Sequence, residues 1–91
     1  MPEKYRIINI TDTNGNPRCG GMYPLRIGRI CEKPQVNLGL PMFINYIANS
    51  DGSDYSGFQL STSRVERISE SGNHLTVETM NSIYEFEKVE D

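Results

Sequence analysis

Punctuation governs what this chain can become. Gly, Asn, Ser and Pro interrupt it at roughly the eight-to-twelve-residue spacing of short strands in an all-β barrel or sandwich. Between the breaks lie runs rich in Ile, Val, Tyr, Phe and Thr, which suit a pleated, half-buried surface. Ala, the best helix former, occurs once, at Ala48.

The runs place strands at Lys4–Ile10, Leu25–Glu32, Pro41–Asn49, Phe58–Leu60, Val65–Glu70, His74–Thr79 and Ile83–Val89. Gly28 inside the second of these signals a bulge or a close backbone approach. Loops fall at Thr11–Gly21, Lys33–Gly39 and Asn49–Gly57, with Asp51-Gly52 as the turn of the last. Ser61–Arg64 reads as a corner. Val65 and Ile68 are three apart, which breaks strand alternation, so a bulge or one 3₁₀ turn belongs at Ser63–Arg67. The Ser63-x-x-Glu66 spacing fits a capping box there.

The last three strands support a register. With Gly72-Asn73 as a type II′ hairpin loop, Glu70 faces Leu75, Ile68 faces Val77 and Arg67 faces Glu78. The apolar pair and the opposite-charge pair then fall on opposite faces, and each stabilises by roughly 0.2–1 kcal/mol. With Met80-Asn81 as the next turn, Val77 faces Tyr84 and Leu75 faces Phe86. A three-residue loop would bury Glu85, because a one-residue slip flips every side chain. Ile68, Leu75, Val77, Tyr84 and Phe86 are therefore expected to wall the core. The fold expected is all-β: a small SH3-like or related antiparallel barrel of about six short strands, ending in a three-stranded meander. Residues 1–91 make one domain, with a flexible acidic tail at 87–91.

The C-terminal third carries Thr62-Ser63-Arg64-Val65-Glu66-Arg67-Ile68 and then Val77-Glu78-Thr79-Met80-Asn81-Ser82-Ile83-Tyr84-Glu85-Phe86. This pattern, TS-x-V-x-x-I followed by V-x-T-x-N-S-x-Y-x-F, resembles small bacterial and phage proteins with compact β folds, mostly without an assigned role. The resemblance implies a compact β fold and brings no activity with it.

Net charge is −3, and the nine Lys and Arg residues are scattered. Nucleic-acid binders draw most of their affinity from phosphate neutralisation by a basic stripe, which this chain lacks. No apolar leader follows Met1 and no run is long enough to span a bilayer. A cytoplasmic location with two free thiols, Cys19 and Cys31, is the expectation.

Candidate chemistry is sparse. His74, the one histidine, sits beside a hairpin turn and has no second metal ligand or nucleophile near it in the chain. Cys19 precedes Gly20-Gly21 and reads as an ordinary loop cysteine; Cys31 reads as a small core residue. Asn49-x-Asp51-x-Ser53-Asp54 is similar to a calcium loop, but Asp54 stands where Gly is required and Leu60 where a bidentate Glu is required. The glycines near Asn14-Gly15-Asn16 and Cys19-Gly20-Gly21 open no helix, so no phosphate loop is formed. Glu85 and Glu87, near Glu78, could pair for acid–base work; they read better as a solvated outer face, with Arg67 as partner to Glu78. No cofactor, no metal and no catalytic set is expected.

One constellation remains. The register places Glu66 opposite Thr79, which brings Ser61, Thr62, Ser63 and Arg64 close to Asn81 and Ser82. Hydroxyls, an amide and a guanidinium at one rim could hold a phosphate, a carboxylate or a peptide backbone. Tyr46 or Tyr55 could add a stacking face. The expected function is a non-enzymatic binding module for a protein partner or a small anionic ligand. A narrower expectation is sequestration of a nucleotide-like signal, or inhibition of a defence protein. Exposed sheet edges predict a homo-oligomer. The alternatives are an Sm- or SH3-like nucleic-acid binder, or an enzyme whose site the sequence does not reveal.

Overall fold

The computed structural model of the chain describes residues 3–17 and 26–89. Six strands run in chain order: β1 (Lys4–Thr11), β2 (Ile30–Glu32), β3 (Pro41–Ala48), β4 (Gln59–Ser71), β5 (His74–Thr79) and β6 (Ile83–Val89). Each pairs antiparallel with the next, and β6 returns to β1 to close the barrel. The all-β, SH3-like barrel ending in a β4–β5–β6 meander is thus the fold. Residues 87–89, read from the sequence both as the end of a strand at Ile83–Val89 and as the start of an acidic tail, are the end of β6, where Arg6 pairs with Glu87 and Lys4 with Val89.

Alternation builds the core. Met42, Ile44 and Tyr46 point inward from β3, Leu75 and Val77 from β5, and Tyr84 and Phe86 from β6. The two C-terminal hairpins have the expected register: Glu70 opposite Leu75, Arg67 opposite Glu78, Val77 opposite Tyr84 and Leu75 opposite Phe86. Gly72 has φ +58° while no non-glycine residue, Asn73 included, has positive φ; that is the type II′ pattern.

Two changes separate the expected strands from those observed. The second strand begins at Ile30 instead of Leu25, because residues 26–28 form a turn in which Arg29 N–H donates to the Arg26 carbonyl; Leu25 itself lies outside the described residues. Gly28, with φ +92°, makes the close approach its position signalled: a Cβ there would lie 2.9 Å from the Cβ of Ser50. The other change is that the expected fourth and fifth strands are one. β4 runs unbroken for 13 residues through the expected corner at Ser61–Arg64.

Two bulges bend β4 so that its first part pairs with β3 and its second with β5. Against β3, Pro41 pairs with Arg64 but Phe43 pairs with Ser61, leaving one extra residue on β4. The Thr62 hydroxyl repairs the ladder there, accepting from Met42 N–H at 3.1 Å and donating to the Ser63 carbonyl at 2.8 Å. Against β5, Val65 pairs with Thr79 and Arg67 with Glu78, so Glu66 is the extra residue. The bulge alternative is correct and the 3₁₀ turn with its capping box is not. Glu66 therefore does not stand opposite Thr79. Val65 does, buried, with Thr79 buried across from it.

Ile68 is a correction as well. It sits opposite Val77 but is 39% exposed, unlike Leu75, Val77, Tyr84 and Phe86. β3 leaves β4 at Arg64, so among the described residues, 66–71 pair with β5 on one side only, which leaves Ile68 partly exposed.

Candidate functional site

The β4 bend and the β5–β6 turn meet at one rim. Met80 N–H donates to the Arg64 carbonyl at 3.0 Å, tying the turn to the bulged strand. Between them lies a groove of about 210 Å³ lined by Ser61, Thr62, Ser63, Asn81, Ser82 and Arg26, with Leu60, Thr79 and Tyr84. Five of the eight expected site residues are thus brought together, and no lining residue is acidic.

Arg64 is not one of them. Val65 must face the core, so its neighbour faces out, opposite Pro41. The Arg64 guanidinium pairs with Glu66 at 3.2 Å across an exposed surface. Arg26, from the turn before β2, supplies the groove's cation instead. The sequence offered no signal for it, because residues 26–28 alternate acceptably as a strand.

Part of the groove's polarity serves the turn. Thr79 Oγ1 donates to the Ser82 carbonyl at 3.0 Å and accepts from Ser82 N–H at 3.1 Å, while Thr79 N–H donates to the same carbonyl at 2.7 Å. The Thr79 side chain closes the Met80-Asn81 loop, and Asn81 has no need of positive φ. Thr62 is committed to the bulge. The hydroxyls of Ser61 and Ser63 make no hydrogen bond within the described residues, so they are open to a ligand.

Tyr46 and Tyr55 belong elsewhere. Their rings meet edge-on at 5.3 Å, and Arg29 lies over both, its Cζ 5.0 Å from the Tyr46 centroid and 4.4 Å from that of Tyr55. Arg29 is 8% exposed and takes part in none of the ion pairs among the described residues. Its Nε and the Tyr46 hydroxyl are both buried without a hydrogen-bond partner. Burial pushes the Tyr46 phenol up, and the neighbouring guanidinium of Arg29 pulls it back. Stacking on two rings is what compensates this buried cation.

The remaining candidates fall to structural roles. Cys31 is a buried core thiol. His74 is exposed, paired with Ser71 in the hairpin. Asp51 accepts from the Ser53 hydroxyl (2.6 Å) and amide (2.9 Å), and Asp54 from the Ser56 amide (3.1 Å) and hydroxyl (2.8 Å). These bonds hold both carboxyls below their ordinary value and spend them on their own turns. Glu85 accepts from Asn9 Nδ2 at 3.0 Å, and Arg67 sits 3.7 Å from Glu78 on the outer face. Asp12 Oδ1 accepts from Asn14 and Asn16 amides, so the segment around Gly15 is a self-bonded turn. Cys19 and Gly20-Gly21 lie outside the described residues. Among the described residues no three His, Cys, Asp or Glu side chains gather as metal ligands, and no helix is long and apolar enough to cross a membrane.

No family model matches the chain, and comparison with curated proteins and with solved structures finds no match.

Proposed function

We propose that this chain is a non-enzymatic binding module whose rim groove takes a small anionic ligand. One observation carries the reading: Ser61, Ser63, Asn81 and Arg26 line one groove that holds a cation and no carboxylate. Such a set suits phosphate or carboxylate oxygens, which accept from hydroxyl, amide and guanidinium donors together. Groups of this class occur on nucleotide-like signals, and sequestration of such a signal is the narrower form of this reading.

Calorimetric titration tests this with inorganic phosphate and a panel of cyclic and linear nucleotides. Binding of a phosphorylated probe is expected, weakened tenfold or more by Arg26→Gln and unchanged by Arg64→Ala, whose guanidinium lies outside the groove. No heat with any of the phosphorylated probes would falsify the reading.

A further inference from the structure

A second cavity, of about 460 Å³, shares no lining residue with the rim groove. Phe58 borders it, together with Glu32, Asn45, Tyr46 and Gln59. Phe58 is the outer member of a column. Its ring stacks on Tyr55 with centroids 4.4 Å apart and 18° between planes, and Tyr55 in turn carries the buried guanidinium of Arg29. The inner end of the column is 8% exposed and the outer end 57%. Phe58 thus presents a fixed aromatic face to solvent, held flat from behind.

Two side-chain amides line the same cavity. Gln59 Nε2 donates to Asn45 Oδ1 at 3.0 Å, across a cross-strand pair between β4 and β3. This bond orients both amides. It leaves the Asn45 NH₂ as a donor and the Gln59 carbonyl as an acceptor, on two side chains that line the cavity. A nucleobase edge offers complements to both, an acceptor ring nitrogen and an exocyclic N–H, the groups a single Asn or Gln amide reads on adenine. Base stacking on an exposed aromatic ring tolerates any base, because each has a π-face. Glu32 at the border adds an acceptor and repels phosphate.

We infer that this cavity binds an uncharged planar heterocycle of the nucleobase class, stacked on Phe58 and hydrogen-bonded by Asn45 and Gln59. The ligand is distinguished from that of the rim groove by its lack of a phosphate requirement.

The test is an amide chemical-shift titration of the full chain with adenosine, guanosine, cytidine and uridine, and with ribose as control. At least one nucleoside is expected to shift the amides of residues 45 and 57–59, with ribose shifting none. Phe58→Ala should weaken that binding roughly 5- to 150-fold, the usual range for removing one stacking partner, and Phe58→Tyr should retain it. Should Phe58→Ala lose its β-sheet circular dichroism, Gln59→Ala, at an exposed position, decides by the same titration. The inference is overturned if no nucleoside shifts these amides at millimolar concentration. It is equally overturned if the folded variant binds as wild type does. Inorganic phosphate and Arg26→Gln should leave this titration unaffected, which separates its outcome from that of the rim groove.

Discussion

Burial of Cys31, fully enclosed between β1 and β3, raises its thiol from the ordinary 9.0 to about 12. The cause is first the loss of solvation for a thiolate, then the nearby Glu32 carboxylate. The sign follows from linkage. The unfolded chain releases this proton first, so the stabilisation is complete below pH 9 and is lost as pH rises toward 12. The gap corresponds to roughly 4 kcal/mol at full deprotonation. Urea unfolding at pH 8, 9.5 and 11 should show stability falling across the upper interval. Cys31→Ala should flatten that fall without abolishing it, since the Tyr5 and Tyr46 phenols are also raised by burial. In a Cys19→Ser background, Cys31 should resist a thiol reagent at pH 8 until denaturant is added. This burial was legible from strand alternation alone. Arg29 was not, because its burial depends on Tyr46 and Tyr55, which approach it from other parts of the chain.

At the scale of elements, local pairing was legible and distant pairing was not. The β4–β5 and β5–β6 registers follow from short turns and alternating side chains within one stretch of sequence. β2 fails because the turn at residues 26–28 alternates like a strand, and because Gly28 is placed by Ser50, some twenty residues on. Three-residue apolar spacing marks a bulge twice. It was recognisable at Val65–Ile68, and it recurs at Ile7–Ile10, where β1 shifts register against β6 between Ile7 and Asn9. The β5–β6 turn carries another readable signal, Thr79-x-x-Ser82, whose side-chain bonds replace the usual turn chemistry of a two-residue loop. Thr79→Val keeps the shape but strands a buried amide, an expected cost of about 1–3 kcal/mol. Thr79→Ser restores the hydroxyl and should recover most of it. Urea midpoints of the two variants against wild type measure this, and equal midpoints for Val and Ser would remove the role given to the hydroxyl. The groove depends on the same turn: Ser61–Ser63 meet Asn81 and Ser82 there although the expected register was one residue off at the bulge, Val65 and not Glu66 standing opposite Thr79, and Arg26 arrives from outside it.

For the whole molecule, closure alters the ground for self-association. The sequence suggested exposed sheet edges; β1–β6 pairing closes the barrel, and β4 residues 66–71 are a stretch that among the described residues pairs only with β5. In a two-residue hairpin the flanking residues bond each other, so Ser71, Ser69 and Arg67 turn their backbone groups to β5. Glu66, Ile68 and Glu70 turn theirs outward. A second copy pairing antiparallel about Ile68 would set Glu66 against Glu70 twice, like charge on like. Moving the two-fold axis to Ser69 would set Ile68 against Glu70. Moving it to Arg67 would oppose two guanidinium groups. Glu66 also sits in the bulge, which bends the edge away from a flat partner. These are the devices by which sheet proteins resist edge-to-edge pairing. We therefore expect light scattering on a sizing column to give a monomer across the micromolar range. Replacing both Glu66 and Glu70 with Thr should promote association by removing the guard. A wild-type dimer would show that copies meet through another surface, and a variant that stays monomeric would show that charge is not what protects this edge.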